Sequence, residues 1–287
     1  MLTSSARIQI DAPTRMYLDL LKQCLTRQVF PEVYRRIELS RERNKSYFKR
    51  LPILRLNRFL ARLDIELVKK IKHDASSRAV GSDQWPADAE TMIGLCRLDS
   101  LEYCAIDVLR RHVPGDFVEA GVWRGGAAIL MKAVLKVFGE NDRVVWAADS
   151  FQGLPKPNPE RYPADEGDKH WKFAELSVPM EKVKANFSRY GLLDDRVRFV
   201  QGWFKDTMPS FPAQEIALLR VDGDLYESTI QVLEHLYPRV AAGGYCVVDD
   251  YALPMCKQAV DDFRRDNHIR SPLVKIDWTG VYWQKTG

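Results

Sequence analysis

From about Thr91 to the end of the chain, apolar runs of strand length alternate with stretches of helical periodicity, and that order leaves few folds open. "TMIGLCRLDSLEYCAIDVLRRH" carries helical periodicity and is stopped by Pro114-Gly115. "DFVEAGV" then reads as a buried strand, "GGAAILMKAVLKVFG" as a helix and "RVVWAADSF" as a second strand. The alternation continues through a helix around "PMEKVKANFSRYG", a strand "RVRFVQGWF", and two further strands separated by the helix "TIQVLEHLYPRV". Strands that alternate with helices predict an α/β fold, with a mostly parallel, doubly wound sheet covered on both faces. After a helix over "MCKQAVDDFRRDN", the closing "VKIDWTGVYWQK" reads as a hairpin about Thr279-Gly280, which places an antiparallel strand at or near the sheet edge.

The segment before this alternation has a different character. Between Arg15 and Lys72 there are 16 Lys/Arg and 6 Asp/Glu, a local excess of +10 on a chain whose net charge is +4, so the remainder is acidic on balance. Tyr34, Ile37 and Arg41, then Leu56, Phe59, Leu60, Leu63 and Leu67, fall at rough helical spacing, and Pro52 is expected to separate two helices. The chain therefore divides into a basic helical N-terminal extension, residues 1–80, and an α/β domain, residues 81–287, joined through the loop-like "HDASSRAVGSDQWPADAE". A basic, partly apolar segment suits packing on the domain or on a second subunit, and also peripheral contact with an anionic membrane or glycolipid. No nucleic-acid recognition motif accompanies the charge. The five cysteines are odd in number and never spaced CxxC, which fits reduced, cytoplasmic thiols. No run of about 18 apolar residues marks a membrane span, and the opening residues lack the apolar core of a secretory signal.

In open α/β sheets ligands bind beyond the carboxyl ends of the strands. The first strand of the domain runs into "VEAGVWRGG", where Gly121, Gly125 and Gly126 allow a tight turn and close approach of a ligand beside Glu119. This is neither GxGxxG nor a phosphate-binding P-loop. The second strand ends in Asp149, placed to take the two hydroxyls of a ribose, with Ser150 beside it. The third ends in "QGWFKDT", where Gly202, Trp203 and Phe204 offer a face for a flat base, although both aromatics also suit a core. A nucleoside site without a pyrophosphate cradle favours S-adenosylmethionine over a dinucleotide. The last two parallel strands both end in carboxylates: "LLRVDGDLYEST" in Asp222, Asp224 and Glu227, and "GGYCVVDDYA" in Asp249 and Asp250. A lone Asp at a strand end is often a helix cap, but four on neighbouring rims would repel one another without a cation.

"TMIGLCRLDSLEYC", "VPGDFVEAGVWRGGAA", "ADSFQGLP", "NFSRYGLLDDRVRFVQGWFKDTMP", "LLRVDGDLYEST", "LYPRVAAGGYCVVDDY" and "GVYWQK" together resemble the macrocin O-methyltransferase family, and the likeness runs from about Ser82 to Gly287. "YLDLLKQCLT" resembles the family's opening helix, while residues 28–79 depart from its pattern. The resemblance implies a Rossmann-like methyltransferase that uses S-adenosylmethionine and Mg²⁺ to methylate a sugar hydroxyl, and a homodimer. It places Glu119 and Gly121 at the methionine end of the cofactor, with Gly125 in the same turn. Asp149 and Ser150 fall at the ribose and Gly202 with Trp203 beside the adenine, while Met92, Ile93 and Arg97 close over the cofactor. Asp222, Asp249 and Asp250 are implied as the metal ligands, with Asp222 also beside the cofactor and, with Asp224, at the reacting centre. Asp224 is open to three roles: general base, orienter of a metal-bound water, or a share in metal binding. Tyr226 and Glu227 are expected to begin the next helix. The loop from Lys156 to Pro179 is expected to be a lid or disordered; His170 and Asp168 on it are open to approaching the acceptor, although a mobile surface His is the commoner case. Two other readings stay open on the residues alone: Asp222-Gly223-Asp224 as the DxD of a nucleotide-sugar glycosyltransferase, and a non-catalytic basic adaptor on a methyltransferase core.

Overall fold

The computed structural model describes residues 8–30, 33–36, 51–71, 75–81, 86 and 89–286. The N-terminal segment holds helix α1 (Ala12–Leu25), strand β1 (Val33–Arg36), helix α2 (Leu51–Ala61), strand β2 (Val68–Ile71) and helix α3 (Ala75–Val80). α1 starts where Asp11 accepts a hydrogen bond from the Thr14 amide at 2.9 Å, with Pro13 in its first turn. Its apolar stripe of Leu18, Leu21 and Leu25 is buried in the main core. α1 thus packs into the α/β domain although it lies before the expected boundary at residue 80. β1 and β2 pair antiparallel, Val33 opposite Ile71 and Arg36 opposite Val68. Tyr34, expected on a helix face, lies in this strand pair; Ile37 and Arg41 fall outside the described residues. Pro52 lies in the first turn of α2, where a proline forfeits no intrahelical bond; the helix expected before it falls outside the described residues.

The domain continues with α4 (Leu95–Arg110), β3 (Asp116–Ala120), α5 (Gly126–Val137), β4 (Val145–Asp149), α6 (Met180–Arg189), β5 (Val197–Gln201), α7 (Phe204–Thr207), β6 (Ile216–Val221), α8 (Tyr226–Leu236), β7 (Val240–Val248), α9 (Pro254–Asp266), β8 (Val274–Lys275) and β9 (Val281–Gln284). The strands form one sheet in the order β5-β4-β3-β6-β7-β9-β8. The five strands from β5 to β7 run parallel, and β9 and β8 turn back antiparallel at one edge, as the closing hairpin predicts. β6, "IALLRV", is buried at every position because it lies in the middle of the sheet with helices over both faces. One core cluster joins α1, α4, α5 and α6 to one face; the other joins α8 and α9 to the opposite face. α5 is buried along ten of its residues, since it lies between the sheet and α1.

The strand order fixes where a ligand can bind. From β3 the chain steps outward to β4 and β5, then returns to β6 and steps the other way to β7. Crossovers on opposite sides leave a crevice at the carboxyl ends of β3 and β6. The backbone there is tight: the Asp222 amide donates to Ala120 O at 2.8 Å and the Gly121 amide to Ala148 O at 2.9 Å.

Candidate active site

A cavity of about 600 Å³ opens at this switch point. Of the sequence-expected cofactor residues, Met92, Ile93, Glu119, Gly121, Asp149, Ser150, Gly202 and Trp203 all line it. Gly121 has φ 93°, and a Cβ there would stand 1.7 Å from Asp222 O, so no other residue fits between the two strand ends. Gly125 does not line the cavity. It caps α5 at φ 90°, and a Cβ on it would come within 2.8 Å of Val183 Cγ1 on α6, which makes it a packing glycine. Met92 and Ile93 precede α4 instead of lying on it, in the turn that forms the cavity rim.

Glu119 is buried on β3, with one carboxylate oxygen, Oε1, 2.5 Å from Arg220 Nη1. Burial pushes its pKa up to about 8, against the pull of Arg220. The Ala128 amide at the start of α5 and Arg220 both favour the Glu119 carboxylate, and on the cavity wall it is the charge that the ammonium of the methionine end of S-adenosylmethionine would meet. Asp149 accepts from the Val122 amide at 2.7 Å through Oδ2 and from the Phe151 amide at 2.7 Å through Oδ1. It therefore holds the β3–α5 turn in place while its remaining lone pairs stay available to ribose hydroxyls. The Ser150 hydroxyl is used locally, donating to Gly153 O at 2.6 Å and accepting from the Gln152 amide at 2.9 Å. These residues fit an adenosyl cofactor.

The acid cluster assembles across β6 and β7. Asp222, Asp249 and Asp250 each bring a carboxylate oxygen to within 4.8 Å of the others. Asp222 and Asp250 are near enough to share a proton, and burial followed by the charges of Asp224, Asp222 and Asp249 drives the Asp250 pKa far upward. Asp249 runs the other way: burial acts to raise it, but the guanidiniums of Arg220 and Arg97 hold it below the usual carboxylate value. Carboxylates crowded until they must hold protons are the donor set a hard divalent cation replaces protons on, and an all-oxygen set suits Mg²⁺. The residues present fit such an ion. Asp224 stands beside the cluster in the left-handed region, φ 55°, its amide donating to Asp250 Oδ2 at 3.3 Å. Burial and the Asp222 charge raise its pKa to about 7.

Sequence reasoning did not single out Arg220. It lies on β6 directly opposite Glu119 on β3, is 2% exposed, and binds Glu119, Asp222 and Asp249 together. A charged residue inside an otherwise apolar strand was the available signal. Arg97, expected over the cofactor, lines the cavity and also reaches Asp249 and, at 3.0 Å, Asp277 in the β8–β9 turn. Asp277 in turn accepts from the Thr279 and Gly280 amides at 3.0 and 2.8 Å, while the Thr279 hydroxyl donates to Asp249 O at 3.0 Å. The closing hairpin thus braces a member of the acid cluster, with Trp278 on the lip of the cavity.

The loop from Lys156 to Pro179 is fastened over the cavity. Asp165, fully buried, accepts from the Tyr226 and Glu227 amides at 2.6 and 3.0 Å and so caps α8, which begins at Tyr226 as expected. Trp123 Nε1 donates to Glu175 O at 2.9 Å on the far side. Between these anchors His170 lines the cavity, and its Nδ1 lies 2.5 Å from Oδ2 of Asp168, whose side chain is 3% exposed. His170, expected on a mobile surface, is thus part of the wall, with the buried Asp168 side chain holding its ring.

A family model described as macrocin-O-methyltransferase (TylF) matches residues 14–285. The 8-demethyl-8-(2,3-dimethoxy-alpha-L-rhamnosyl)-tetracenomycin-C 4'-O-methyltransferase of Streptomyces olivaceus is 52% identical over 214 residues, 74% of this chain and 82% of the relative. The demethyldecarbamoylnovobiocin O-methyltransferase of Streptomyces niveus is 52% identical over 204 residues, 70% of this chain and 78% of the relative. Among solved structures, the O-methyltransferase NovP superposes with a TM-score of 0.79 at 41% identity, covering 96% of this chain and 100% of that one. The fold and the cavity therefore define a class I methyltransferase, an enzyme whose fold implies S-adenosylmethionine as methyl donor. The chain belongs to the macrocin O-methyltransferase family, which sets aside both the glycosyltransferase and the adaptor readings.

Proposed function

We propose that this methyltransferase transfers the methyl group of S-adenosylmethionine to a sugar hydroxyl of a glycosylated natural product, with Mg²⁺ at Asp222, Asp249 and Asp250. The observation that carries this reading is the gathering of those three carboxylates on the same cavity as Glu119 and the Asp149 turn. The relatives support the acceptor class: one is named for the 4'-oxygen of a rhamnosyl tetracenomycin, and another, 48% identical, for the 3''-oxygen of mycinamicin III.

Glu119 would receive the cofactor's ammonium and Asp149 its ribose, with Gly202 and Trp203 beside the adenine. When bound, S-adenosylmethionine supplies an electrophilic methyl carbon, and the cation supplies positive charge against two vicinal acceptor oxygens. Asp224, buried beside the cluster with its amide on Asp250 Oδ2, takes the hydroxyl proton on its carboxylate. Arg97 and Arg220 orient Asp249. The fastened loop and Trp123 keep water from the reacting atoms.

The reading includes a homodimer joined through the N-terminal segment, where Leu56, Phe59 and Leu63 lie exposed on and just beyond α2, and a cytoplasmic setting. Contact of Arg55, Arg58 and Arg62 with an anionic membrane or glycolipid is a second use open to that segment. Calorimetry tests the site itself. Wild type should bind S-adenosylmethionine, and Mg²⁺ binding should be present in wild type and lost in Asp249→Ala. Failure of wild type to bind either ligand would contradict the reading.

A further inference from the structure

Arg220 is bonded to both halves of the cavity. Its Nη1 lies 2.5 Å from Glu119 Oε1 on the cofactor wall, and its Nη2 lies 2.7 Å from both Asp222 Oδ2 and Asp249 Oδ1 in the acid cluster. Both protons of Nη2 are committed to those two aspartates. The residue is 2% exposed and Glu119 and Asp249 are buried with it, while Asp222 is half-buried; Glu119, Asp222 and Asp249 share the Arg220 guanidinium, with Arg97 adding a second charge at Asp249 alone. We propose that Arg220 couples the cofactor wall to the cation site, so that occupancy of either one weakens binding at the other.

The sign follows from the sharing. A divalent ion drawn to Asp222 and Asp249 competes for the two oxygens that Nη2 holds. The guanidinium then gives more of its charge to Glu119, which becomes a poorer partner for an ammonium. In the reverse direction, an ammonium at Glu119 displaces part of the Arg220 charge from Nη1 toward the aspartates, where it competes with the ion. Thermodynamic linkage requires both directions to have the same magnitude. A lysine at this position could not carry the coupling. Its compact ammonium has no planar fork and cannot bridge a carboxylate on one side and two on the other. Arg97 does not substitute for it, since its partners Asp249 and Asp277 both lie on the cation side.

The proposal rests on the cofactor and cation reading above, and its test separates the two. Calorimetry above the Glu119 pKa of about 8, where its carboxylate is ionised, would measure the Mg²⁺ Kd of the full chain with and without saturating S-adenosylhomocysteine, which carries the ammonium but lacks the sulfonium charge. In wild type the Mg²⁺ Kd should rise several-fold, toward the lower end of the roughly 5- to 150-fold range of such couplings. In Arg220→Lys the ratio should fall to near one while both ligands still bind. Glu119→Gln, which keeps the arginine and its aspartate contacts, should also bring the ratio to near one, and it serves if the lysine variant does not fold. An unchanged ratio in either folded variant would overturn the proposal, because the coupling would then be direct repulsion through space. A ratio of one in wild type would overturn it as well. Wild type that binds neither ligand would instead overturn the reading beneath it.

Discussion

The cavity is built from residues whose backbone or charge state no other choice satisfies. Gly121 is the sharpest case: with φ 93° and a hypothetical Cβ 1.7 Å from Asp222 O, Gly121→Ala must push β3 and β6 apart. The expected cost is about 3 kcal/mol or more from strain and overpacking, read as a large fall in thermal midpoint together with loss of cofactor binding. Glu119 makes a pH prediction. Its pKa of about 8 means that it holds a proton at neutrality, whereas an ammonium binds the ionised carboxylate. S-adenosylhomocysteine affinity should therefore rise with pH up to about 8, by at most about tenfold per unit, and Glu119→Gln should flatten that slope in calorimetry between pH 6 and 8. A wild-type affinity independent of pH would contradict this account of the Glu119 oxygen. At this scale the carboxylates were legible, because acids that end apolar strands are conspicuous. Arg220 was not, since its contacts join β3, β6 and β7, which are distant in sequence. Gly125 misled because a glycine needed for φ 90° and for room against Val183 looks, in sequence, like one needed for a ligand.

Among the elements, the Lys156–Pro179 loop changes most between expectation and structure. Its Pro and charge content reads as a mobile lid, yet Asp165 caps α8 and Trp123 holds Glu175 O. Asp165→Ala removes both cap contacts and should cost about 1–2 kcal/mol. It should also make the loop more susceptible to limited proteolysis while leaving S-adenosylmethionine affinity near wild type, because Asp149, Gly202 and Trp203 lie on other elements. Unchanged proteolysis would show that the cap does not hold the loop. A mostly parallel sheet was readable from the alternation of periods, and the antiparallel edge from the hairpin at Thr279-Gly280; the order of the strands was not. The β1–β2 pair was not: "VYRR" and "VKKI" are too short and too basic to show strand alternation, and only their mutual pairing makes them strands.

Across the whole molecule, the basic N-terminal segment and the domain are less separate than charge alone suggests. Lys22 of α1 is 2% exposed and binds Asp99 and Glu102 of α4 at 2.5 and 2.7 Å. Lys22→Met leaves Glu102 buried with less compensation and should cost about 3 kcal/mol, measured by denaturant unfolding; a cost near zero would show that α1 contributes little to the domain. Composition cannot reveal that a lysine in a basic run is a core residue, because its partners lie 77 and 80 positions away. The whole chain also bears the central claim, that the acidic strand ends and the cofactor wall act together on a sugar hydroxyl. The direct measurement is transfer of a ¹³C-methyl group from labelled S-adenosylmethionine to a panel of rhamnosyl and other deoxyhexosyl glycosides, with Mg²⁺ or with chelator, followed by mass spectrometry and NMR. The account predicts a labelled O-methyl ether on a sugar with a neighbouring free oxygen, formed with Mg²⁺, and abolished by chelator and by Asp250→Asn. Methylation that persists at full rate in chelator, or that falls on a position with no vicinal oxygen, would contradict it.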